Sequence, residues 1–382
     1  MKKKFLGMLV LMIVMSFVLF SCLQAQPQNT DEQATSNTQE ILNIGFIGPL
    51  TGNLASLGVD MRNAVLLFLD ENPVFAGRKV ELVAEDDMCD PSKAVTAANK
   101  LISSDKVQVI LLHSCSGSYL AVAPIANANK VVIFSSVSTS PEITLAGGDF
   151  GFRNAPSDEL ASTVLIDYIS TKYKKIAILS ENTDFAQAYR QKIIDKSKVK
   201  GLEVVFDEVF NPDTTDFKTS LTKMKESEPE VFLNFANGGV TGGLITKQKY
   251  ELAINVPEIG TDIMTSKEYL DTAKEASNGE IIAMTSADES KVSVQDFLNK
   301  FKVKFGQEST AKAYAVLAYD SIVIMKNAIE NVGYDASEIK EWLYTMPEYD
   351  GLAGKTKFDS NGDGTILPNL MVLKDGKFEI MK

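Results

Sequence analysis

The segment VQVILLHSCSGSYLAVAPIA, residues 107–126, decides the fold because it contains one complete unit of a pattern that repeats along the chain. Its first six residues form a short apolar run, which is typical of a strand buried on both faces of a parallel sheet. Residues 120–126 are helical in character, and the polar loop 113–119 joins the two parts. The segment therefore predicts a strand–loop–helix unit of an α/β fold.

Similar units extend in both directions from this segment. Further apolar runs of strand length lie at residues 41–47, 80–84, 131–134, 175–179, 202–206, 231–235 and 280–284. The stretches between them have helical spacing, and Asp90 followed by Pro91 predicts a helix start with a capping carboxylate. This alternation predicts mostly parallel sheets with helices on both faces. The pattern restarts over 157–282, which predicts a second lobe, with 152–156 as a crossing point between the lobes.

Polar loops follow two neighbouring strands of the predicted first sheet. The loop 113–119 contains three serines, and the loop 135–140 contains four serines and a threonine. Open α/β sheets bind ligands outside the carboxyl ends of their strands. Hydroxyl groups and free N–H groups at helix N-termini suit a carboxylate. The loop GPLTGN at 48–53 lacks the GxGxxG and GKS/T spacings, which excludes nucleotide binding there.

Other chemistry-bearing residues have simpler interpretations. His113 is the only histidine, so a zinc site or a histidine-based triad would lack partners and a structural role is expected. The string DSNGDG at 359–364 imitates a calcium loop, but Leu370 stands where the loop needs glutamate. We therefore expect a β-turn joining 357–358 to 371–373. Asp262, after 257–260, either pairs with a ligand ammonium or is a solvated surface acid.

The first forty residues predict export and attachment to a membrane. Three lysines precede the uncharged run 5–20, so residues 1–21 have the form of a signal peptide. The sequence Ser21-Cys22 resembles a bacterial lipobox, which implies cleavage before Cys22 and lipidation of its thiol; a plain signal peptide or an uncleaved anchor is the alternative. Residues 22–40 then form a flexible polar tether. The expected location is extracytoplasmic, in the periplasm or at the cell surface, with the membrane contacted through the lipid alone.

Charge and cysteine content limit the function further. The formal net charge of −12 repels nucleic acid and excludes a DNA or RNA partner. No nucleophile–base pair, metal cluster or cofactor loop is visible, so we expect no enzyme, no metal and no cofactor. With Cys22 assigned to lipid, Cys89 and Cys115 form an even pair in an oxidising compartment, where a disulfide is expected and free thiols are the alternative.

The string DDMCDPSKAV at 86–95 is similar to a motif of the branched-chain amino-acid binding family of ABC importers. Other matching segments are IGPLTG at 47–52, HSCS at 113–116, SPEIT at 140–144 and FRNAPSD at 152–158. The resemblance covers nearly the whole mature chain. It implies the type 1 periplasmic-binding-protein fold, two Rossmann-like lobes joined by a multi-strand hinge, and a disulfide between Cys89 and Cys115. The first lobe would comprise 41–155 plus 285–354, and the second 156–284 plus 355–382.

The resemblance also implies roles for individual residues. Ser116 matches the serine that holds the ligand carboxylate, and Thr139 matches the threonine that binds both carboxylate and ammonium. A backbone carbonyl that takes the ammonium falls at Val137. Asp262 matches the acid of the second lobe that neutralises the ammonium, where the family more often has glutamate.

The side-chain pocket departs from the family pattern. The aromatic residue of the first loop falls at Leu57, and a tyrosine of the second lobe falls at Phe185, which keeps the ring and loses the hydroxyl. A second tyrosine falls near 237–238, where this chain has no aromatic residue. The grip on the amino-acid backbone is therefore expected to be kept while the side-chain pocket is rebuilt, so no particular amino acid is predicted.

These observations predict a monomeric, lipid-anchored solute-binding protein that closes two lobes around a small molecule, with an amino acid as first candidate. It would deliver that molecule to the permease subunits of an ABC importer. Two alternatives share the fold: a sensory subunit that presents its ligand to a receptor, and an uptake protein for an amide, urea or an aromatic acid.

Overall fold

The computed structural model describes residues 41–285 and 287–381. The predicted signal peptide, the lipidated Cys22 and the tether lie outside these residues. The strands are β1 (Leu42–Gly48), β2 (Val74–Phe75), β3 (Arg78–Asp86), β4 (Val109–Leu112), β5 (Val132–Ser135), β6 (Gly151–Arg153), β7 (Lys175–Glu181), β8 (Glu203–Phe210), β9 (Val231–Phe235), β10 (Glu258–Gly260), β11 (Ile281–Met284), β12 (Tyr349–Asp350), β13 (Lys355–Thr356), β14 (Asn369–Lys374) and β15 (Lys377–Ile380).

Helices alternate with most of these strands. The α-helices are α1 (Ala55–Glu71), α2 (Pro91–Ser103), α3 (Ser116–Asn129), α4 (Ile143–Ala146), α5 (Asp158–Lys172), α6 (Asp184–Lys200), α7 (Lys218–Glu226), α8 (Gly239–Glu251), α9 (Lys267–Ala273), α10 (Val292–Phe305), α11 (Lys312–Val332) and α12 (Ala336–Thr345). Short 3-10 helices lie at Gly148–Phe150, Asp262–Thr265 and Lys274–Ser277.

Two mostly parallel sheets carry the fold. The first has the order β2-β3-β1-β4-β5-β6, and only the edge hairpin β2–β3 is antiparallel. The second has the order β15-β14-β11-β10-β9-β7-β8, in which β14 and β15 add an antiparallel edge. The predicted α/β class with two lobes is confirmed.

The chain passes between the two sheets more than once. After β6 it leaves the first sheet and starts α5, and after β11 it leaves the second sheet and forms α10 to α12, with α10 and α11 packed against α1. It returns through β13 to reach β14. We call the first sheet with α1 to α4 and α10 to α12 the first lobe, and the second sheet with α5 to α9 the second lobe. The residue bounds given above for the lobes stay a prediction.

The central strands are buried because helices cover both faces of each sheet. All residues of β4 and of β9 are buried, which explains why β4 is entirely apolar and why β9 is apolar except for Asn234. On the first lobe, Ala64, Val65 and Phe68 of α1 belong to the same buried cluster as α11. Each fully buried side chain of the size of leucine contributes roughly 1.5–3 kcal/mol. This packing fixes the strand ends from which the polar loops emerge.

The helix start predicted at Asp90 is confirmed. Its side chain accepts hydrogen bonds from the N–H groups of Ser92 at 2.8 Å and Lys93 at 3.1 Å, and Pro91 occupies the first helical position. The turn at 359–364 is different from the prediction. Phe358 pairs with Gly364 instead of with 371–373, because β14 is used to extend the second sheet beside β11.

Candidate ligand-binding cleft

A narrow cavity lies where the two lobes meet. Its walls are Pro49, Leu54, Leu57, Cys89, His113, Ser114, Cys115, Ser116, Val137, Thr139, Phe185, Asn237, Asp262 and Ile263. The six residues that the sequence suggested as ligand contacts all line this one cavity: Leu57, Ser116, Val137, Thr139, Phe185 and Asp262. The structure thus brings these residues together, while their roles toward a ligand stay predictions.

The hydroxyl-bearing wall comes from the first lobe. Strand β4 ends at Leu112, and α3 begins at Ser116, so the loop between them lies at the carboxyl edge of the sheet. The hydroxyl of Ser116 accepts the N–H of Ser140 at 3.2 Å, which joins this loop to the one after β5. Both Ser116 and Thr139 are buried. Two adjacent strand ends therefore present hydroxyl groups to the same cavity.

The serine loops are held by their own hydrogen bonds. The Ser135 hydroxyl accepts the N–H of Val137 at 3.3 Å and that of Ser138 at 3.0 Å. Ser138 in turn donates its hydroxyl to the carbonyl of Ser114 at 2.7 Å. The hydroxyl of Ser114 donates to the buried carboxyl of Asp87. This wall is consequently fixed before any ligand enters, which lowers the cost of binding.

His113 connects the serine loops to α11. Its Nδ1 accepts the N–H of Ser136 at 3.2 Å, and its Nε2 lies 3.2 Å from the hydroxyl of Ser321. Complete burial lowers the pKa of His113 to about 3, so the ring is neutral at physiological pH. The contacts support the structural role expected for His113, although the residue also lines the cavity.

Arg153 joins the loop 135–140 to the turn 359–364, and the sequence reasoning missed this role. The buried guanidinium donates to Asp363 Oδ1 at 2.6 Å and to the carbonyl of Ser140 at 2.7 Å. A third bond reaches the Thr144 hydroxyl at 2.9 Å. The signal available was a basic residue in an otherwise apolar short strand, together with an unexplained acidic turn at 359–364.

Asp262 supplies the acidic wall from the second lobe. It opens the 3-10 helix that follows β10 and is buried, with only 8% of its surface exposed. Burial raises the pKa of Asp262 to about 7, against the lowering effect of the backbone N–H of Ile263. Tyr314 of α11 donates its hydroxyl to the Asp262 carboxyl across the lobe boundary. Tyr314 had no local signal in the sequence, because it lies in an apolar helix typical of the core.

Asp158 is a second buried acid close to this site. Its pKa is raised well above the ordinary value by burial first and by the charge of Asp262 second, while the Thr139 hydroxyl lowers it. The N–H of Asp158 donates to the carbonyl of Thr139 at 2.8 Å. Its Oδ2 has no partner among the described residues. The sequence indicated Asp158 only as a helix-start acid, so its place beside Thr139 was missed.

Apolar side chains close the rest of the cavity. Leu54 and Leu57 come from the start of α1, and Ile263 follows Asp262. Phe185 is 5% exposed and stacks on Tyr189 with ring centroids 6.2 Å apart. No lysine or arginine lines the cavity. An apolar, uncharged ligand group fits this part of the wall.

The predicted disulfide between Cys89 and Cys115 is confirmed, and its sulfur atoms border the cavity. It joins the turn before α2 to the start of α3, with Cα atoms 5.3 Å apart. Closing a loop of this length stabilises the fold by roughly 3 kcal/mol in the chain-entropy model. The amide of Asn237, from the second lobe, reaches to 4.0 Å from Cys115 Sγ.

The arrangement can bind a ligand with an anionic end and a cationic end, one at each wall. Within 41–285 and 287–381, no group of three or more histidine, cysteine or acidic side chains is placed to hold a metal ion. Over the same residues, no helix is both long and apolar enough to cross a bilayer.

Comparison with known proteins agrees with this geometry. The family model described as periplasmic binding protein matches residues 42–374. The chain belongs to the periplasmic binding protein family. This confirms the resemblance drawn from the motifs, and it places the chain among extracytoplasmic proteins that bind small molecules.

Several members of the periplasmic binding protein family can be compared in detail. The leucine-, isoleucine-, valine-, threonine- and alanine-binding protein of Pseudomonas aeruginosa is 26% identical over 335 residues, covering 86% of this chain and 88% of its own. A leucine-binding protein from Thermotoga maritima superposes with a TM-score of 0.83 at 24% identity, covering 89% of this chain and 98% of that one. A solute-binding protein of an ABC transporter from R. palustris, in complex with benzoate, superposes with a TM-score of 0.80 at 20% identity. The match covers 89% of this chain and 95% of that one. The two structures show the shared fold.

Proposed function

We propose that this protein is a lipid-anchored, extracytoplasmic binding protein that captures an α-amino acid with a small apolar side chain for an ABC importer. One observation carries the proposal: Ser116 and Thr139, which bear hydroxyl groups, and Asp262, which bears a carboxyl group, come from opposite lobes and line one cavity. A zwitterion has one charged group for each of these two walls. An acidic wall and a neutral donor wall thus correspond to its two ends.

Closure around the ligand would work as a clamp. The first-lobe hydroxyls would hold the ligand carboxylate, and Asp262 with the carbonyl of Val137 would hold the ammonium. A ligand that contacts both lobes favours the closed state by its additional contacts there. Its ammonium would also shift Asp262 toward the ionised form, because a nearby positive charge opposes the effect of burial on the pKa.

The cavity favours a small ligand. The two lobes leave little free space between Leu57, Phe185 and Asp262. Leu57 and Phe185 stand where the family resemblance places an aromatic residue and a tyrosine, so the side-chain end of the pocket has no hydroxyl from these positions. A short aliphatic side chain would bury its surface there without leaving a polar group unpaired.

The transport role is supported by the family and by the N-terminal sequence. The Pseudomonas aeruginosa relative is a binding protein for amino acids, and the benzoate complex is that of an ABC transporter solute-binding protein. Cys22 at the end of an apolar leader would attach the chain to the membrane beside the permease subunits. A monomer with one cleft is sufficient for such delivery.

A carboxylic acid without an ammonium group is the second candidate. Asp262 has a pKa of about 7, so it can carry a proton and donate a hydrogen bond to a neutral or anionic ligand. The protein in complex with benzoate has the same fold. A ligand of this kind would depend on the serine loops much more than on the charge of Asp262.

Thermal-shift screening of the mature chain against L-amino acids, benzoate, urea and small amides tests the proposal. A bound ligand in excess stabilises the folded state by mass action. We expect aliphatic L-amino acids to raise the melting temperature and the other compounds to leave it unchanged. A response to benzoate alone would contradict the amino-acid proposal and favour the second candidate, whereas a response to urea or an amide alone would contradict both.

A further inference from the structure

Helix α1 begins without a capping side chain of its own. The residue before its first turn is Leu54, whose side chain cannot accept a hydrogen bond, and the first turn contains no acid. The first N–H groups of any helix lack partners inside the helix, and the helix dipole makes this end partly positive. The start of α1 therefore favours a carboxylate supplied from elsewhere.

Glu268 supplies that carboxylate from the other lobe. It lies in the first turn of α9, in the second lobe. Its Oε1 accepts the backbone N–H of Ser56 at 3.0 Å, and its Oε2 accepts the Ser56 hydroxyl at 2.5 Å. Both side chains are half-buried. One carboxylate thus makes two bonds to a single residue across the lobe boundary, 212 positions away in the chain.

The contact between Glu268 and Ser56 lies next to the cavity but outside its lining. Ser56 lies between Leu54 and Leu57, which both line the cavity, whereas Ser56 and Glu268 do not. Glu268 also lies close to Asp262 in the chain. The 3-10 helix Asp262–Thr265 begins with Asp262, and α9, which contains Glu268, follows it directly. The contact therefore joins the segment carrying the apolar wall to the segment carrying the acidic wall.

We propose that the Glu268–Ser56 contact is an interlobe clasp that stabilises the closed state and positions Leu54 and Leu57 over the ligand. This inference rests on the proposed function, since it requires lobes that close around a ligand. Separation of the lobes breaks both bonds and exposes the uncapped start of α1. Glu268 is thus a positioning residue, which adds to affinity through the closed state alone.

Binding measurements on variants test the clasp, with the compound that gives the largest shift in the thermal screen as probe. Glu268→Ala should raise the Kd by about 10-fold through faster dissociation, because a charged hydrogen-bonding group is lost only from the closed state. Ser56→Ala should have a smaller effect, since its N–H still donates. Glu268→Gln should fall between wild type and Glu268→Ala, because the amide oxygen accepts without charge.

Asp271→Ala is the matched control, since Asp271 lies on the same helix and pairs with Lys267 of its own lobe. Its Kd should equal that of wild type, and all variants should have the melting temperature of wild type without ligand. A Glu268→Ala variant with unchanged Kd and dissociation rate would overturn the clasp while leaving the proposed function intact.

The two proposals can fail separately. If no compound in the screen binds, the proposed function fails, and single-molecule FRET between labels on the two lobes then tests the clasp without ligand. A smaller closed fraction in Glu268→Ala than in wild type would support the clasp. Equal fractions would overturn it.

Discussion

The two walls of the cleft are built in different ways. The first-lobe wall consists of neutral loops whose hydroxyl and N–H groups bond to one another, as Ser135 does to Ser138 and Ser138 to Ser114. The second-lobe wall consists of a buried acid, Asp262, whose hydroxyl donor Tyr314 belongs to the opposite lobe. The difference indicates that the first wall exists before closure, whereas the second reaches its final state only when the lobes meet.

The two walls also differ in the ionisation of their buried side chains. The buried histidine of the first wall is kept neutral, since burial lowers the pKa of His113 to about 3. On the opposite wall, burial raises the pKa of Asp262 to about 7. An incoming ammonium would therefore change the ionisation of the second wall and leave the first unchanged. Substitutions on the two walls should accordingly have effects of different size.

The largest effect is expected for Asp262→Ala. It should abolish amino-acid binding, weakening affinity by at least about 100-fold, because the ligand ammonium would be buried without its counter-charge. Isothermal titration calorimetry measures this loss, and thermal unfolding without ligand checks that the variant is folded. Unchanged affinity would show that Asp262 is not the ammonium partner.

On the opposite wall, Thr139→Ala should weaken binding by about 10-fold, because a buried hydrogen bond to a charged group is lost. The neighbouring serine loop should stay in place, since its own hydrogen bonds do not include the Thr139 hydroxyl. Thr139→Ser is the matched control and should bind nearly as wild type does. Equal losses in the two variants would mean that the methyl group, and not the hydroxyl, contributes to binding.

Tyr314→Phe tests how much the hydrogen bond from Tyr314 to Asp262 across the lobe boundary contributes to binding. The variant keeps the ring in the core and removes only the hydroxyl that donates to Asp262. We expect about 5-fold weaker binding, corresponding to one net hydrogen bond. Calorimetry on the same ligand measures it. Tighter binding would instead indicate that the tyrosine hydroxyl competes with the ligand ammonium for Asp262.

The smallest effect is a pH dependence that originates in the second wall. Because the folded-state pKa of Asp262 is raised from 3.8 to about 7, the protonated form stabilises the ligand-free protein at low pH, and this contribution is lost as pH rises through 7. An ammonium ligand requires the ionised form. The rise in melting temperature caused by an amino acid should therefore be larger at pH 8 than at pH 5.

Asp262→Asn should remove the part of the ligand-free pH dependence that comes from this residue. A ligand-induced shift that falls between pH 5 and pH 8 would favour a ligand that accepts a hydrogen bond from protonated Asp262, as an aromatic acid would. The direction of the slope thus separates the two candidate ligands.

Most of the fold could be predicted because its signals are local. Buried parallel strands appear as short apolar runs, and the run at 231–235 coincides with β9. Strands β3 and β8 extend beyond their apolar runs, since parts of them are exposed and alternate with polar residues. The short strand β10 and the added edge strands β14 and β15 give little signal of their own, because they are stabilised by neighbours in the second sheet.

Residues of the cleft that follow strand ends could be placed from the sequence, whereas contacts that depend on how the lobes meet were missed. Ser116 and Thr139 belong to loops whose position the sheet dictates. Tyr314 and Glu268 act across the lobe boundary, at separations of 52 and 212 residues from their partners. Nothing in the neighbouring sequence distinguishes such residues from an ordinary core tyrosine and an ordinary surface acid.

The cystine between Cys89 and Cys115 lies on the wall of the cavity, so its formation is a maturation step for recognition as well as for folding. In a chain that kept both thiols reduced, the two loops would still be joined by the hydrogen bond between Ser114 and Asp87 but by no covalent bond. Under the proposed function, a precursor still inside the cell would therefore have a less rigid cleft than the protein that has reached an oxidising compartment.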